Sequence, residues 1–202
     1  MTELPLFQAI HSQRATRRFA KTPVSRESIA TIMQAAIRAP NGGNRQPWYF
    51  LVIRDRETKR RIGEWYLAAW NEIYGDIDPE TIRQASRSGG VLGRGMADIP
   101  VLILACIDHS DERAETPSIV SGASIYPAVQ NLMLAARALG LGTVLTTIHR
   151  RYEQDIKKFL EIPDNIETAA LIPVGYPASG EHFGGSVRKN IEEVTFGDRW
   201  AQ

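Results

Sequence analysis

The sequence predicts a single α/β or α+β domain, and three observations favour this fold class. The chain has 202 residues, 43% of them hydrophobic, which is enough for one full core but short for two domains. Segments with a helical period of 3.6 residues alternate with short continuous apolar runs that are typical of buried strands. The sequence contains no internal repeats and no low-complexity tracts. We therefore expect one layered domain over residues 1–202.

Two helices and a strand are expected first. Helical periodicity appears at Leu4–Ser12 and more clearly at Ser25–Ala39, where Ser25 suits an N-cap and Pro40 should end the helix. The continuous apolar run Trp48–Ile53 predicts a strand covered on both sides. A further helix should follow, with an apolar face made by Ile62, Trp65, Tyr66 and Ala69.

The middle of the chain begins with a break in the pattern. Residues 74–97 contain acidic residues, Pro79 and the glycine-rich stretch Ser88–Gly95, and we find no periodicity in them. We interpret this segment as a lid or excursion. Ile99–Ile107 then predicts a second buried strand, and Ser124–Leu139 has the strongest helical period in the chain.

Three short elements and a tail complete the chain. We expect a strand at Thr143–Thr147, a charged amphipathic helix near Tyr152–Leu160 and a strand at Ala169–Gly175. The tail, residues 180–202, contains glycines and charges and ends in aromatic residues. A tail with such an ending usually packs against something, and in an oligomer the partner subunit offers a surface.

Composition excludes several classes of function. The net charge is +1 and no basic face runs along the chain, so we expect no nucleic-acid partner. The first ten residues are too short and polar for a secretory signal, and no apolar run reaches the ~20 residues of a membrane span, so we expect a cytoplasmic protein. The lone cysteine, Cys106, rules out an internal disulfide and a cysteine-rich metal site, and it is expected to be a buried structural thiol.

Three segments contain residues suited to ligand binding. Arg14, Arg17 and Arg18 place three guanidinium groups within five residues, which suits a phosphate but equally a solvated basic patch. The loop Ala39–Trp48 combines glycines with Asn and Gln side chains, as a flat ring with a mixed hydrogen-bonding edge requires, although an ordinary Asn-capped turn explains it as well. Gly140–Thr147 connects a helix to a strand without a dinucleotide fingerprint, and a helix C-cap explains Gly140 without any ligand. The four histidines are scattered, and we expect surface or structural roles for them.

Five sequence blocks then occur in a recognisable order. They are AIHSQRATRRF, APNGGNRQPWYFLVIRD, AVQNLMLAARALGLGT, LIPVGYP and VRKNIEEVTFGDRW. Together they resemble the FMN-dependent nitroreductase family over nearly the whole chain, with only residues 74–97 outside the resemblance. It implies an α+β fold, a three-layer α/β/α sandwich around a central mixed, mainly antiparallel sheet. It also implies a homodimer with FMN at the interface and a swapped C-terminal extension at 180–202.

The resemblance also implies a set of cofactor-binding residues. Arg14, Arg17 and Arg188 would hold the FMN phosphate, with Arg18 and Lys189 as further candidates. The loop would face the flavin across the subunit boundary through Pro40, Asn41, Gly42, Asn44 and Gln46. Leu145, Thr146 and Thr147 would lie along the isoalloxazine ring, with backbone N–H groups near the nitrogen that accepts hydride.

This chain also departs from the family pattern. Gln13 stands where the family often has arginine, Ala15 where it often has serine, and Asn41-Gly42 replaces Ser-Ser. Hydroxyl contacts are lost, so backbone N–H groups or Thr16 must replace them. We still expect FMN to bind, because each remaining charge-assisted contact contributes about 1.5–3 kcal/mol.

The implied activity is hydride transfer from NADH or NADPH through FMN to a small electron-poor acceptor, such as a nitroaromatic or a quinone. No catalytic side chain and no metal is assigned. Residues 74–97 would cover the substrate face as a lid. Three alternatives stay open: a non-catalytic flavin-binding or storage protein, a dehalogenase and a flavin-fragmenting enzyme. The lack of lysine between Tyr66 and Arg151 argues against an iodotyrosine site.

Overall fold

A computed structural model describes residues 4–77, 84–110 and 118–200. Its helices are α1 (Leu6–Ser12), α2 (Arg26–Ala36), α3 (Arg56–Tyr74), α4 (Gln84–Gly95), α5 (Ser118–Ala138) and α6 (Glu153–Phe159). Its strands are β1 (Trp48–Ile53), β2 (Val101–Asp108), β3 (Gly142–Thr143) and β4 (Ile166–Gly175). Short 3₁₀ turns lie at Gly42–Asn44, Met96–Asp98, Ile148–Tyr152 and Ile191–Glu193.

The strands form one four-stranded sheet in the order β1-β2-β4-β3. All neighbouring strands are antiparallel, with Trp48 opposite Ile107, and Val101 and Thr143 both opposite Val174. A single parallel bridge joins Ala15 to Thr143. The prediction of a mixed, mainly antiparallel sheet is therefore confirmed.

Helices cover both faces of this sheet, because successive side chains of a strand point to opposite sides. Ile103 and Ile172 face the cluster that contains the buried residues of α2 and α5. Leu104 and Leu171 face the other cluster, which contains buried residues of α3, α4 and α6. The three-layer α/β/α sandwich is thus confirmed. Cys106 is fully buried in the second cluster, as expected of a structural thiol.

Most predicted elements are present with shifted ends. The Ser25 side chain accepts a hydrogen bond from the Ser28 amide and caps α2, as expected. The helix ends at Ala36, before Pro40, because the chain turns at Ile37. The strand predicted at Thr143–Thr147 is shorter, since only Gly142–Thr143 pair regularly and Thr146 forms an isolated bridge with Leu171.

One expectation for β1 is wrong. We expected both sides of this strand to be covered, yet Tyr49 is 53% exposed and Val52 is 39% exposed. The strand lies at the edge of the sheet, and these two side chains point to opposite faces, so each face leaves part of the strand uncovered. An apolar run alone does not distinguish an edge strand from a central one.

The expectation that residues 74–97 have no helical periodicity is also wrong in part. Residues 84–95 form α4, whose Leu92 is buried, and Met96 is buried directly after it. Gly89, Gly90 and Gly93 lie on the side of α4 that contacts α3. Glycines that we took for a loop signal therefore let two helices approach closely. The part of the predicted lid at 78–83 lies outside the described residues.

Helix α5 crosses the centre of the first layer. Its segment Ile119–Ala138 has 20 residues and a mean hydropathy of 1.2, so by length and composition it could span a membrane, contrary to our expectation. Its residues Ile125, Val129 and Leu132 are buried in the core against α2 and the sheet. We therefore assign it as a core helix.

Candidate functional site

The predicted arginine segment is held against the end of β3. The Thr16 amide donates to the Thr143 carbonyl at 2.9 Å. The Thr16 side chain packs so closely on Gly142 that a Cβ there would lie 2.5 Å from Thr16 Oγ1. Gly142 is thus required by close packing. Gly140 instead has a φ of +73° after the end of α5, as expected of a glycine that terminates a helix.

The start of the C-terminal tail returns to the same segment. The Gly184 amide donates to the Ser12 carbonyl at 2.6 Å, and the Arg14 guanidinium donates to the Gly184 carbonyl at 3.1 Å. Arg14 Nη1 also lies 2.7 Å from His182 Nε2. The exposed Arg18 forms an ion pair with Glu181 at 3.1 Å. The structure therefore separates Arg14, held by the tail, from Arg18, which pairs at the surface.

A cavity of about 170 Å³ lies beside this segment. We call it the Thr146 cavity. Its lining brings together the arginine segment, α3, α4 and the connection after β3, through Arg17, Tyr66, Tyr74, Gly89, Leu92, Val144, Leu145, Thr146 and Ile148. Four sequence-distant segments thus meet at one cavity. Arg17, Leu145 and Thr146 were predicted as site residues, and the structure brings them together.

Thr146 is fixed from two directions. Its amide donates to the Leu171 carbonyl at 3.1 Å, and its carbonyl accepts from the Leu171 amide at 2.9 Å. Its hydroxyl donates to the Tyr66 hydroxyl at 3.3 Å. Since the Thr146 amide already has a partner in the sheet, the expected backbone donors to a ring must come from its neighbours Leu145 and Thr147, both of which are exposed.

Behind Thr146 lies a buried polar network. His149 is fully buried, and its Nε2 lies 3.2 Å from Thr168 Oγ1. The Thr168 hydroxyl donates to Glu153 Oε1 at 2.9 Å, so its oxygen accepts from the imidazole and Nδ1 is the unprotonated nitrogen. That Nδ1 has no hydrogen-bond partner among the described residues.

Burial, reinforced by the nearby charge of Arg150, lowers the pKa of His149 to about 4, although the Thr146 backbone opposes part of this shift. The imidazole is therefore neutral at physiological pH. This agrees with the expectation of a structural histidine.

The Asn- and Gln-containing loop lies at the opposite end of the sheet. The Asp108 amide donates to the Pro47 carbonyl at 2.7 Å, and the Gly42 amide donates to Ser124 Oγ at 3.3 Å. Asn41 Oδ1 accepts from the Gln46 amide at 2.8 Å, which closes the loop on itself. Pro40 and Asn44 are exposed. The structure does not bring this loop to the Thr146 cavity of its own chain.

The C-terminal basic pair is also separate from the cavity. Arg188 and Lys189 are exposed, and Arg188 donates to the carbonyl of its neighbour Val187 at 2.9 Å. All residues from 185 to 200 are exposed. Gly185 itself lies near Arg14, because a Cβ on it would be 3.6 Å from Arg14 Nη1.

Sequence reasoning missed three residues near the site. Tyr66 was predicted only as a core residue. Arg137, on the last turn of α5, donates to Ser12 Oγ at 2.9 Å, and its guanidinium lies 3.9 Å from the centre of the Phe183 ring. His182 contacts Arg14. No local pattern marks these residues, because each reaches the site from an element distant in sequence.

Two further features bear on the choice of site. Within residues 4–77, 84–110 and 118–200, no group of His, Cys, Asp or Glu side chains could hold a metal ion. A larger cavity of about 320 Å³ lies at the other end of the sheet, near His109, Tyr126 and Glu167, and contains none of the predicted site residues. The predicted residues therefore favour the Thr146 cavity.

Comparison with known proteins defines the class. The model of the nitroreductase family matches residues 10–176, so the chain belongs to the nitroreductase family. This confirms the expected class, a nitroreductase-like oxidoreductase. The putative NADH dehydrogenase/NAD(P)H nitroreductase of Methanothermobacter thermautotrophicus is 30% identical over 181 residues, which cover 88% of this chain and 80% of that protein.

A solved structure and a second relative add detail. A putative nitroreductase from Desulfovibrio desulfuricans, in complex with FMN, is 29% identical with a TM-score of 0.71, covering 99% of this chain and all of that one. An iodotyrosine deiodinase of Haliscomenobacter hydrossis is 27% identical over 193 residues, covering 93% of this chain and 86% of that protein. The expected cofactor types, FMN and NAD(P)H, therefore agree with those in the names of relatives.

Proposed function

We propose that this protein binds FMN and uses NADH or NADPH to reduce a small electron-poor acceptor, such as a nitroaromatic or a quinone. The observation that carries the proposal is the Thr146 cavity, where Arg17 and three side chains with hydroxyl groups line a space inside a nitroreductase fold. Bound FMN would supply the hydride chemistry, while the chain supplies placement, electrostatics and exclusion of water.

The residues at the phosphate end fit a phosphate monoester. Arg14 is an always-charged fork donor, and the adjacent Gly184 and Gly185 have positive φ angles of 78° and 72° with no side chains to block an anion. Arg188 lies three residues beyond Gly185, so its backbone is tethered within about 10 Å of that turn. We assign the phosphate to Arg14, with Arg188 and Lys189 as further cations.

The residues at the ring end fit the edge of a flavin. Arg17 lines the cavity beside Thr146 and near Tyr66, whereas Arg18 pairs with Glu181 at the surface. A guanidinium in this place stabilises negative charge that develops on the ring edge during reduction. We therefore assign Arg17, and not Arg18, to the cofactor.

The distance between the two halves of the predicted site supports a homodimer. The arginine segment meets β3 at Thr143, which is level with Val101 through Val174, and the loop meets β2 at Asp108. The eight residues of β2 span roughly 23 Å at about 3.3 Å of rise per residue. The loop also continues from α2, on the face opposite to Tyr66. If both segments contact flavin, the loop must therefore contact the flavin of another copy.

Exposed apolar side chains support the same assembly. On α1, Leu6 and Phe7 are 63% and 73% exposed, and on α5 Ile119 is 80% exposed. The tail exposes Val187 by 92% and Trp200 by 81%, although it has its own helical turn with a capping box at Asn190 and Glu193. Residues 185–200 are exposed throughout although they include this turn, which fits an extension that lies on a partner subunit.

The size of the cavity supports a site completed by other groups. Its volume of about 170 Å³ is below the roughly 300–1,000 Å³ of typical ligand sites. A second subunit and residues 74–97 are the proposed remaining walls. Gly89 and Leu92 of α4 already line the cavity, so the lid assignment for this segment is part of the proposal. A cytoplasmic location is also proposed, since the nicotinamide donor is a cytoplasmic metabolite.

The storage and dehalogenase alternatives make different predictions. A storage protein would retain yellow flavin without turnover. An iodotyrosine dehalogenase needs groups that hold a zwitterion, and the sequence has no lysine between Tyr66 and Arg151, although several relatives have that activity in their names. No observation favours a flavin-fragmenting enzyme.

Steady-state oxidation of NADH and NADPH, with menadione and with a nitrofuran, tests the proposal. We expect flavin to copurify, and at least one nucleotide to be oxidised faster when an acceptor is present. Bound flavin without turnover would support the storage function, and a protein that neither copurifies with FMN nor takes it up would overturn the proposal.

A further inference from the structure

Tyr66 has an unused hydrogen-bonding capacity inside the Thr146 cavity. Its side chain is 2% exposed, and its hydroxyl and that of Thr146 are 3.3 Å apart. Two hydroxyl groups carry two protons, and one hydrogen bond between them uses one proton. In the described part of the chain, the Tyr66 hydroxyl has no other hydrogen bond. One donor of this pair is therefore left for a ligand.

The geometry indicates that the unused proton belongs to the Tyr66 hydroxyl. Thr146 donates to the Tyr66 hydroxyl, and the Thr146 oxygen also lies 3.5 Å from the Ile148 amide, which can donate to it. The proton of Tyr66 then has no acceptor among the residues that the structure describes, and it can point into the cavity that both residues line. A buried donor without a partner is costly, so a ligand or a water must accept from it.

The hydroxyl keeps this donor over the relevant pH range. Burial raises the pKa of Tyr66 above its ordinary value of 10.0, while the charge of the nearby Arg17 and the hydrogen bond with Thr146 oppose the rise. The phenol therefore stays protonated at neutral pH. It lines the same cavity as the guanidinium of Arg17, which has donors and no acceptor. This wall of the cavity is suited to acceptor atoms.

We propose that the Tyr66 hydroxyl, positioned by Thr146, donates a hydrogen bond to an acceptor atom on the edge of the flavin ring, either a carbonyl oxygen or a ring nitrogen. This inference rests on the proposed function. The flavin is favoured over the reducible substrate, because Tyr66 contacts Thr146 and lines the same cavity as Arg17, and we assign both of these residues to the cofactor.

The test compares FMN binding by the full-length protein and its variants after removal of flavin. Titration with FMN should show three- to tenfold weaker binding by Tyr66→Phe, together with shifted visible absorption bands of the bound flavin. The matched control is Tyr126→Phe, which also removes a hydroxyl, one that donates to the Ala169 carbonyl at 3.3 Å beside the other cavity. It should bind FMN with wild-type affinity and spectrum.

A double variant separates a direct contact from a structural role. The double variant, Tyr66→Phe with Thr146→Val, removes both hydroxyl groups. Neither hydroxyl is then left behind unpaired, so the cost of an unsatisfied polar group is avoided. Weak binding and a shifted spectrum should persist in the double variant. If Tyr66→Phe fails to fold, the double variant provides the test.

Three results have distinct meanings. Wild-type affinity and spectrum in Tyr66→Phe would overturn the inference. Recovery of both in the double variant would also overturn it, because the hydroxyl would then act only on the fold. Failure of the wild-type protein to take up FMN would instead overturn the proposed function.

Discussion

The stability of the fold depends on pH through the protonation of His149. The native protein keeps its imidazole neutral down to about pH 4, whereas its ordinary pKa is 6.5. Between these values the unfolded chain binds more protons than the folded one, so stability falls as the pH falls. Above pH 6.5 both states are neutral at this residue, and its contribution is fully present.

We predict that the wild-type free energy of unfolding decreases from pH 7 to pH 5, with His149 accounting for at most roughly 3 kcal/mol by pH 4. In His149→Gln this decrease should be smaller. Urea denaturation at several pH values measures it, with His11→Gln as a control at an exposed histidine. Equal pH slopes in wild type and His149→Gln would contradict the prediction.

At the scale of residues, the sequence predicted the chemical groups of the candidate site better than the positions of their side chains. Arg14, Arg17 and Arg18 were predicted as one cluster, yet Arg14 contacts the tail, Arg17 lines the Thr146 cavity, and Arg18 pairs with Glu181 while it lines a second cavity together with Arg17. Alternating direction along an extended segment separates neighbours, and no sequence pattern states which direction is inward. The role of Tyr66 could not be predicted, since it depends on contact with Thr146, 80 residues away.

At the scale of elements, glycines led to a wrong prediction in one segment and a correct one in another. Ser88–Gly95 was interpreted as a break, but its glycines meet Trp70 and Tyr66 of α3 inside a helical pair. The structure therefore uses them for close approach, which the sequence cannot distinguish from a flexible loop. By contrast, the helix-capping role of Gly140 was predicted correctly, because the helical period ends there.

Gly142→Ala should weaken both the fold and FMN binding. Its Cβ would lie 2.5–2.8 Å from three atoms of the Thr16 side chain, and relief of such a contact costs about 1–3 kcal/mol. Shifting Thr16 would also move the flanking Arg14 and Arg17. Thermal unfolding and FMN titration measure the two effects.

The control for this substitution is Gly95→Ala, since no atom lies within 4 Å of a Cβ at that position. It should change neither stability nor FMN affinity appreciably. An equally small effect of Gly142→Ala would show that Thr16 can move without consequence.

At the scale of the whole molecule, the tail should act through the partner and not through its own chain. Removing residues 186–202 leaves the Gly184 contacts with Ser12 and Arg14 in place. The exposed tail residues make little packing on their own domain, so the shortened chain should fold with a circular dichroism spectrum close to wild type. Light scattering should show loss of the dimer, and FMN binding should weaken. A shortened dimer with full FMN affinity would contradict the proposed role of the tail.

The layers and sheet of the molecule were largely predictable, because continuous apolar runs mark the core strands β2 and β4 and a strong helical period marks α5. The assembly could not be predicted from periodicity, because the pattern of one sequence does not indicate which surfaces contact a partner subunit. The separation of the loop from the arginine segment along β2 becomes visible only in three dimensions. If both segments contact the same flavin, this separation requires that they come from different copies of the chain.

Complementation between two inactive variants tests the shared site most directly. Arg14→Ala with Arg17→Ala removes the cationic half. Gly42→Leu adds bulk to the loop, where a Cβ would come no closer than 3.7 Å to its own chain, so the fold should tolerate it. Each variant alone should bind little FMN.

Mixed dimers purified with two different affinity tags should contain one intact site, formed by the arginines of one chain and the loop of the other. We predict about one FMN per mixed dimer, measured by flavin absorbance, with light scattering to verify the assembly. Flavin-free mixed dimers of the correct mass would contradict the central claim that each flavin lies between two copies of this chain.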